Sequence, residues 1–158
     1  MTMTDFSIDY LGNKPQFVEE LAELWTSEWV PNATAEDIRK KITKFKGRLN
    51  TSKAPFILVA YTEDTLIGSA GLTDYDLEKR RDLSPWLFGV LVKPEFRGQA
   101  IATKLITDVK VKANSLGYSR IYLHTEFAQG LYEKLGCLHL EHTTNDYNQK
   151  TDIYSLET

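Results

Sequence analysis

Cysteine is nearly missing from this chain: Cys137 is the only one in 158 residues. A single thiol excludes an intrachain disulfide. It sits between Gly136 and Leu138 in an apolar run, with no His or Asn partner suggested nearby. It therefore reads as buried and inert rather than as a nucleophile. Long hydrophobic runs are also missing, so no transmembrane helix is expected. The stretch Met1 to Tyr10 has neither a basic n-region nor an apolar h-region, so no signal peptide and a cytoplasmic location are expected. Positive charge is not in excess. With 19 Lys and Arg against 22 Asp and Glu, the formal charge is −3, which leaves no electrostatic footprint for nucleic acid or an anionic membrane. The balance leans instead toward a cationic partner such as an amine. Neither G-x-x-x-x-G-K-[ST] nor G-x-G-x-x-G occurs. Two of the three histidines, His139 and His142, alternate with apolar residues in a strand-like run and lack partners at ligand spacing. No metal site is expected.

What remains is an ordinary globular composition, 42% apolar and 26% charged. It is read as a single domain over residues 1–158. Phe6, Ile8 and Tyr10 alternate in a short strand, and Pro15 opens a helix with Phe17, Val18, Leu21, Leu24 and Trp25 at helical spacing. Thr34-Ala35-Glu36-Asp37 is a near capping box for a second helix, whose stripe is Ile38, Ile42, Phe45 and Leu49. Strands follow at 56–62 and 66–73, then a charged loop over 74–84 and a strand over 86–92, in which Gly89 suggests a bulge. A long helix is expected over 98–116, with Ile101, Leu105, Val109 and Leu116 inward and Gly117 as its stop. Strand 121–124, a short helix over 127–135 and strands at 137–143 and 151–156 complete the order β-α-α-β-β-β-α-β-α-β-β. That order is an α+β fold, a mixed, mostly antiparallel sheet flanked by helices.

Residues 87–102 are the most informative stretch. An apolar strand ends at Val92-Lys93-Pro94, and Arg97-Gly98-Gln99-Ala100-Ile101-Ala102 opens a helix. The first N–H groups of a helix have no intrahelical partner, and its dipole favours an anion there. Small side chains at Gly98, Ala100 and Ala102 let an anion approach the backbone, and Arg97 adds a fork of donors. Chemically this is a pyrophosphate cradle.

The segment resembles the acetyl-coenzyme A motif of the GNAT N-acetyltransferase superfamily, [QR]-x-x-G-x-[GA] after a strand ending V-x-P. Ala100 stands where the family's first glycine falls. A second stretch, from Thr125 to Gly136, resembles the family's N-x-x-A-x-x-x-Y-E-K-x-G segment, with Thr125 in place of Asn. The two motifs lie in the family's order, one helix and one strand apart. The resemblance implies an N-acetyltransferase that moves the acetyl group of acetyl-CoA to a primary amine by direct attack, without a metal. It implies that backbone groups of Val90, Leu91 and Val92 polarise the thioester. It further implies that Arg97, Gly98, Gln99, Ala100, Ile101, Ala102 and Thr125 hold the cofactor. Tyr132 would protonate the leaving thiolate. The amine is either a small molecule or a protein amine, and a homodimer is compatible with the pattern.

An alkylamine is only about one part in 10³–10⁴ neutral at pH 7, so a base or a water path helps the attack. No Asp or Glu lies on 86–92; Glu126, His124, Glu28 and Asp74 are conceivable bases, none selected by pattern. Thr125 also suits a helix cap. Trp25, Trp29, Tyr75 and Tyr147 are candidates for lining an amine pocket, and Lys134 is more simply a solvated charge than a phosphate contact. Two other functions fit the same residues: a coenzyme A-binding domain without turnover, and an acyltransferase that uses a longer acyl-CoA.

Overall fold

The computed structural model describes residues 3–158; Met1 and Thr2, part of the expected leaderless start, lie outside the described residues. One seven-stranded sheet runs in the order β1-β2-β3-β4-β5-β7-β6. Its strands are β1 Ser7–Tyr10, β2 Phe56–Thr62, β3 Thr65–Thr73, β4 Trp86–Val92, β5 Arg120–Thr125, β6 Leu138–Thr144 and β7 Lys150–Glu157. The helices are α1 Val18–Trp29, α2 Ala35–Lys46, α3 Ile101–Ser115 and α4 Gln129–Lys134. All strand pairs are antiparallel except β4 with β5. This is the mixed α+β architecture expected, in the expected order.

The sheet has a helix layer on each face because its two faces are differently apolar. On one face, α3 contributes Ile101, Leu105, Ile106, Val109 and Ala113 to a core with Leu58, Ile67, Leu87, Leu123 and Tyr154. On the other, Leu21, Ala22 and Trp25 of α1 and Phe45 of α2 pack on Ile57, Val59, Phe88 and Leu91. A third cluster, Leu77, Trp86 and Ile153, lies under the 74–84 loop. Burial of such side chains is worth roughly 1.5–3 kcal/mol each. Thr34 and Asp37 close a full capping box at α2, so Asp serves where Glu is usual.

Three expectations need correction. Residues 98–100 are not helical: α3 begins at Ile101, since Gly98 and Ala100 both have positive φ, +80° and +60°. Leu116 does not point inward. It is 37% exposed because the helix ends before it, at Ser115. Leu49 lies beyond α2, which stops at Lys46, and reaches the core through a bridge to Phe56.

Candidate active site

The site lies where the sheet comes apart. β4 and β5 pair at Trp86 with Tyr122, supported by Tyr122 N–H donating to the Pro85 carbonyl at 3.0 Å, and no further pair follows. Beyond that point the two parallel strands diverge. The cause is local to β4. Gly89 has φ +64°, and the β3–β4 register shifts between Ser69 and Gly71, opposite it. A Cβ at Gly89 would lie 2.1 Å from the Trp25 ring, so glycine is required there for space as well as for conformation. Trp25 Nε1 donates to Ser69 Oγ at 2.9 Å, and Ser69 Oγ donates to the Gly89 carbonyl at 2.7 Å. This buried chain of hydrogen bonds ties the bulge to α1. The bulge expected from the sequence is thus present and is held by a tryptophan and a serine that the sequence did not single out for it.

Beyond the bulge the backbone alternates again. Lys93 N–H donates to the Ile67 carbonyl of β3 at 2.9 Å. The backbone groups of Val92, and by the same alternation Val90, therefore turn toward the opening, whereas those of Leu91 turn back toward β3. Leu91 contributes a buried side chain on the α1 face instead. Of the three residues expected to offer N–H groups, two face the gap.

In the turn after β4 the residues expected to form an anion cradle take different settings. Gly98 and Ala100 are exposed, and the left-handed Ala100 turns the chain into α3. Gln99 is buried and faces away, with its Oε1 accepting from Thr4 N–H at 2.6 Å. Arg97 is exposed, and its Nε donates to the Val92 carbonyl at 3.0 Å, which leaves the rest of its fork toward solvent. Ile101 is buried in the α3 core and Ala102 is half-buried.

On the β5 side, Thr125 Oγ1 accepts from Ala128 N–H at 2.9 Å, so it caps the turn into α4. Tyr132 on α4 is 5% exposed, 6.4 Å from the Tyr154 ring. Its hydroxyl is held strongly to its proton, first by burial and then by the nearby Cys137, Glu126 and Asp76. Cys137 is buried as expected, and burial pushes its thiol up to about 11, so it stays a thiol. Lys134 is exposed.

The proposed bases separate cleanly. Glu28 and Asp74 are exposed. His124 and Glu126, in contrast, belong to one cluster with Asp76, a residue the sequence gave no reason to select. His124 Nε2 donates to Asp76 Oδ2 at 3.0 Å, and its Nδ1 faces Glu126 Oε2 at 3.1 Å. Thr151 Oγ1 donates to Glu126 Oε2 at 2.7 Å, and Asn145 Nδ2 donates to Glu126 Oε1 at 3.3 Å. Burial alone would push His124 down, but hydrogen bonds and charge from Asp76 and Glu126 outweigh it and raise it to about 9. His124 is therefore a cation at neutral pH and has no lone pair to offer. Burial would push Glu126 up, yet its hydrogen bonds from His124 and Thr151 and the imidazolium charge hold it below the usual carboxylate range, a poor base.

Two cations complete the α2 side. The Arg48 guanidinium stacks over the Phe88 ring, one residue before the bulge, with its carbon 4.7 Å from the ring centroid. Burial lowers both Arg48 and Lys41, and both feel the charge of Asp76. Among the described residues neither forms an ion pair. Of the aromatic candidates, Trp25 is 2% exposed and belongs to the core, Tyr147 is half exposed, and Tyr75 stacks with Arg81 on the surface.

Comparisons agree with this geometry. Residues 18–137 match the Acetyltransferase (GNAT) family. Human N-acetyltransferase 8B is 37% identical over 82 residues, a match that spans 49% of this chain and 36% of that protein's length. An N-acetyltransferase from Staphylococcus aureus Mu50 superposes with a TM-score of 0.76 at 18% identity, over 98% of this chain and 99% of that one. A Salmonella typhimurium protein, solved with its cofactor acetyl-CoA, superposes with a TM-score of 0.72 at 14% identity, over 98% and 94%. An aminoglycoside 6'-N-acetyltransferase, solved with coenzyme A, gives 0.71 at 17% identity, over 98% and 97%. With the family matched across most of its length and the sheet opened between β4 and β5, this chain belongs to the GNAT acetyltransferase family.

Proposed function

We propose that the protein is an acetyl-CoA-dependent N-acetyltransferase whose acceptor is a primary amine. The observation that carries this reading is the opening between β4 and β5, bordered by the backbone N–H groups of Val90 and Val92. On this reading the thioester enters the opening, and its carbonyl oxygen accepts from the N–H groups on that edge. Such preorganised donors act where negative charge develops, which is where they are worth most. The pyrophosphate rests on the Arg97–Ala102 turn at the N-terminus of α3. Gly98 and Ala100 leave space there and the helix dipole favours the anion.

The amine nitrogen attacks the thioester carbon, the C–S bond breaks, the proton lost from nitrogen passes to water, and sulfur leaves as a thiolate that takes its proton from solvent. Tyr132 keeps its proton at neutral pH and would donate a hydrogen bond to that sulfur. An ordinary thiol titrates near 8.5, below a buried phenol, so the phenol stabilises the thiolate more than it protonates it. His124, as an imidazolium, and Glu126, depressed by its partners, do not serve as the base at pH 7. The reading therefore assigns the amine's deprotonation to water at the mouth of the opening.

The acceptor side has mixed charge. The Asp76–His124–Glu126 cluster has two carboxylates and one imidazolium, while Arg48 and Lys41 have no ion-pair partner among the described residues. That suits an amine bearing an anionic group of its own. Two experiments test the whole. Calorimetry should show micromolar acetyl-CoA binding, and thiol release should follow the addition of an amine. Wild type that does not bind acetyl-CoA would end the reading; binding without release across a broad amine panel would leave a coenzyme A-binding domain. Arg48→Gln should raise KM for carboxylated amines about tenfold or more and barely change it for uncharged ones. An equal effect on both would remove the anionic group from the acceptor.

A further inference from the structure

The edge hairpin β6–β7 brings together three side chains that the sequence keeps apart. His139 and His142 are three residues apart, and in a regular strand they would point to opposite faces. The β6–β7 register shifts between His139 and Glu141, which leaves Leu140 as an extra residue. His139 then pairs with Tyr154 and His142 with Asp152. Tyr154 and Asp152 are two apart on β7, so they share a face, and the bulge puts both histidines on it. The imidazole rings lie 4.4 Å apart, and the nearest donor atoms of His139, His142 and Asp152 all fall within 4.8 Å of one another. Both rings converge on one oxygen, Asp152 Oδ1: His139 Nε2 at 2.8 Å, and His142 Nδ1 also in contact.

We infer that His139, His142 and Asp152 form a binding site for a first-row divalent cation of the zinc class. The donor set supports this assignment. Two imidazole nitrogens and one carboxylate oxygen suit zinc, nickel or copper and do not suit magnesium or calcium, which take oxygen ligands. Three protein ligands with an open side describe a site completed by water. The carboxylate is also oriented from behind. Gln129 Nε2 donates to Asp152 Oδ2 at 3.0 Å, which leaves Oδ1 for the imidazoles. Metal-binding carboxylates are usually braced in this way.

Access is open, since the His142 side chain is 85% exposed. Binding would place one ring nitrogen of each imidazole on the cation as a lone-pair donor. The site would also clamp the hairpin to α4, since Gln129 is on that helix. Tyr154, 5.2 Å from the His139 ring, donates from its hydroxyl to Glu133 of α4 at 3.1 Å. The cation would thereby brace the helix that carries Tyr132, a consequence independent of whether acetyl transfer occurs.

The test uses the full chain without a histidine tag, in a Cys137→Ser background so that no thiol competes. Calorimetric titration with zinc chloride at neutral pH should give one equivalent bound, and thermal unfolding should shift upward with zinc. His142→Ala and Asp152→Asn should each weaken zinc at least tenfold and abolish the thermal shift. His142 is largely exposed, so its variant keeps the fold, and circular dichroism checks this. Cobalt, as a spectroscopic probe, should give an absorption band that His142→Ala loses. Failure to bind zinc at 100 μM, or wild-type affinity in His142→Ala, would overturn the site. An equal thermal response to magnesium would overturn the assigned class.

Discussion

Tyr132 and Ala100 show how a residue's setting changes what its identity implies. The Tyr132 ring is packed in the α3-side core. Removing the oxygen should therefore spare the packing. Tyr132→Phe is expected to keep its fold and its acetyl-CoA dissociation constant and to lose about 10²–10³ in kcat, the scale of a lost transition-state donor. Turnover like wild type across the pH range would return Tyr132 to a packing role. Ala100 poses the opposite case. From sequence it falls inside the helix expected over 98–116, where glycine would cost helix stability. In the structure its φ of +60° is left-handed, outside α3, where an L-residue with a Cβ is strained by about 1–2 kcal/mol. Ala100→Gly should therefore leave stability equal or raise it by up to about 1 kcal/mol, since the freer unfolded chain offsets part of the relief. Denaturant midpoints measure this, and acetyl-CoA affinity should be equal or better. A loss of 0.5–1 kcal/mol, the ordinary helix-interior penalty, would contradict the left-handed assignment.

At the scale of elements, the central feature is that β4 bends away from β5, and the bend is enforced from α1. Trp25 fills the space over Gly89, and Ser69 accepts from Trp25 while donating to the Gly89 carbonyl. Ser69→Ala leaves the buried Trp25 indole N–H and the half-buried Gly89 carbonyl without a partner and should cost about 1–3 kcal/mol. Because the bulge loses its tie, acetyl-CoA affinity should fall with it, and calorimetry on the folded fraction reads that separately from the unfolding curve. Gly89→Ala is more severe, since the added methyl meets the Trp25 ring at 2.1 Å and takes a positive φ as well. Its expected cost is about 3 kcal/mol or more. If Ser69→Ala proved neutral in both measurements, the bulge would be held by packing alone.

At the scale of the whole molecule, the Asp76–His124–Glu126 cluster joins the 74–84 loop, the end of β5 and the start of β7, so its titration reports on all three. His124 is raised from 6.5 to about 9. A group whose folded pKa is raised stabilises fully below its unfolded value, and that contribution fades as pH climbs from about 6.5 through about 9. Glu126 is lowered, so its contribution is present above its ordinary 4.5 and is lost as pH falls below it. Stability should therefore be greatest at roughly pH 4.5–6.5 and should fall by on the order of 2–3 kcal/mol by pH 9–10. Urea midpoints across this range check it. His124→Gln should flatten the alkaline arm; an unchanged slope would place the titrating group elsewhere.

The order of elements could be read from the chain itself, because it rests on local chemistry. Apolar period sets helix or strand, Thr34 and Asp37 cap α2, and Pro94 marks the connector after β4, whereas the helix expected from Gly98 begins only at Ile101 because Gly98 and Ala100 are left-handed. The motif pair around Arg97 and Tyr132 was legible for the same reason, since both lie on short contiguous segments. What the sequence could not supply was contact between segments far apart in the chain. Asp76 meets His124 from a loop, Arg48 reaches Phe88 from beyond α2, and Trp25 decides the conformation of Gly89. The edge hairpin makes the same point: the spacing of His139 and His142 in sequence predicts opposite faces, and a one-residue bulge reverses it. Sequence determined which segments could become strands, helices and the turn after β4, since those depend on neighbouring residues. Tertiary structure decided where the sheet opens, which charges meet at its mouth and which histidines share a face, since a single unpaired residue in a strand re-aims every side chain that follows.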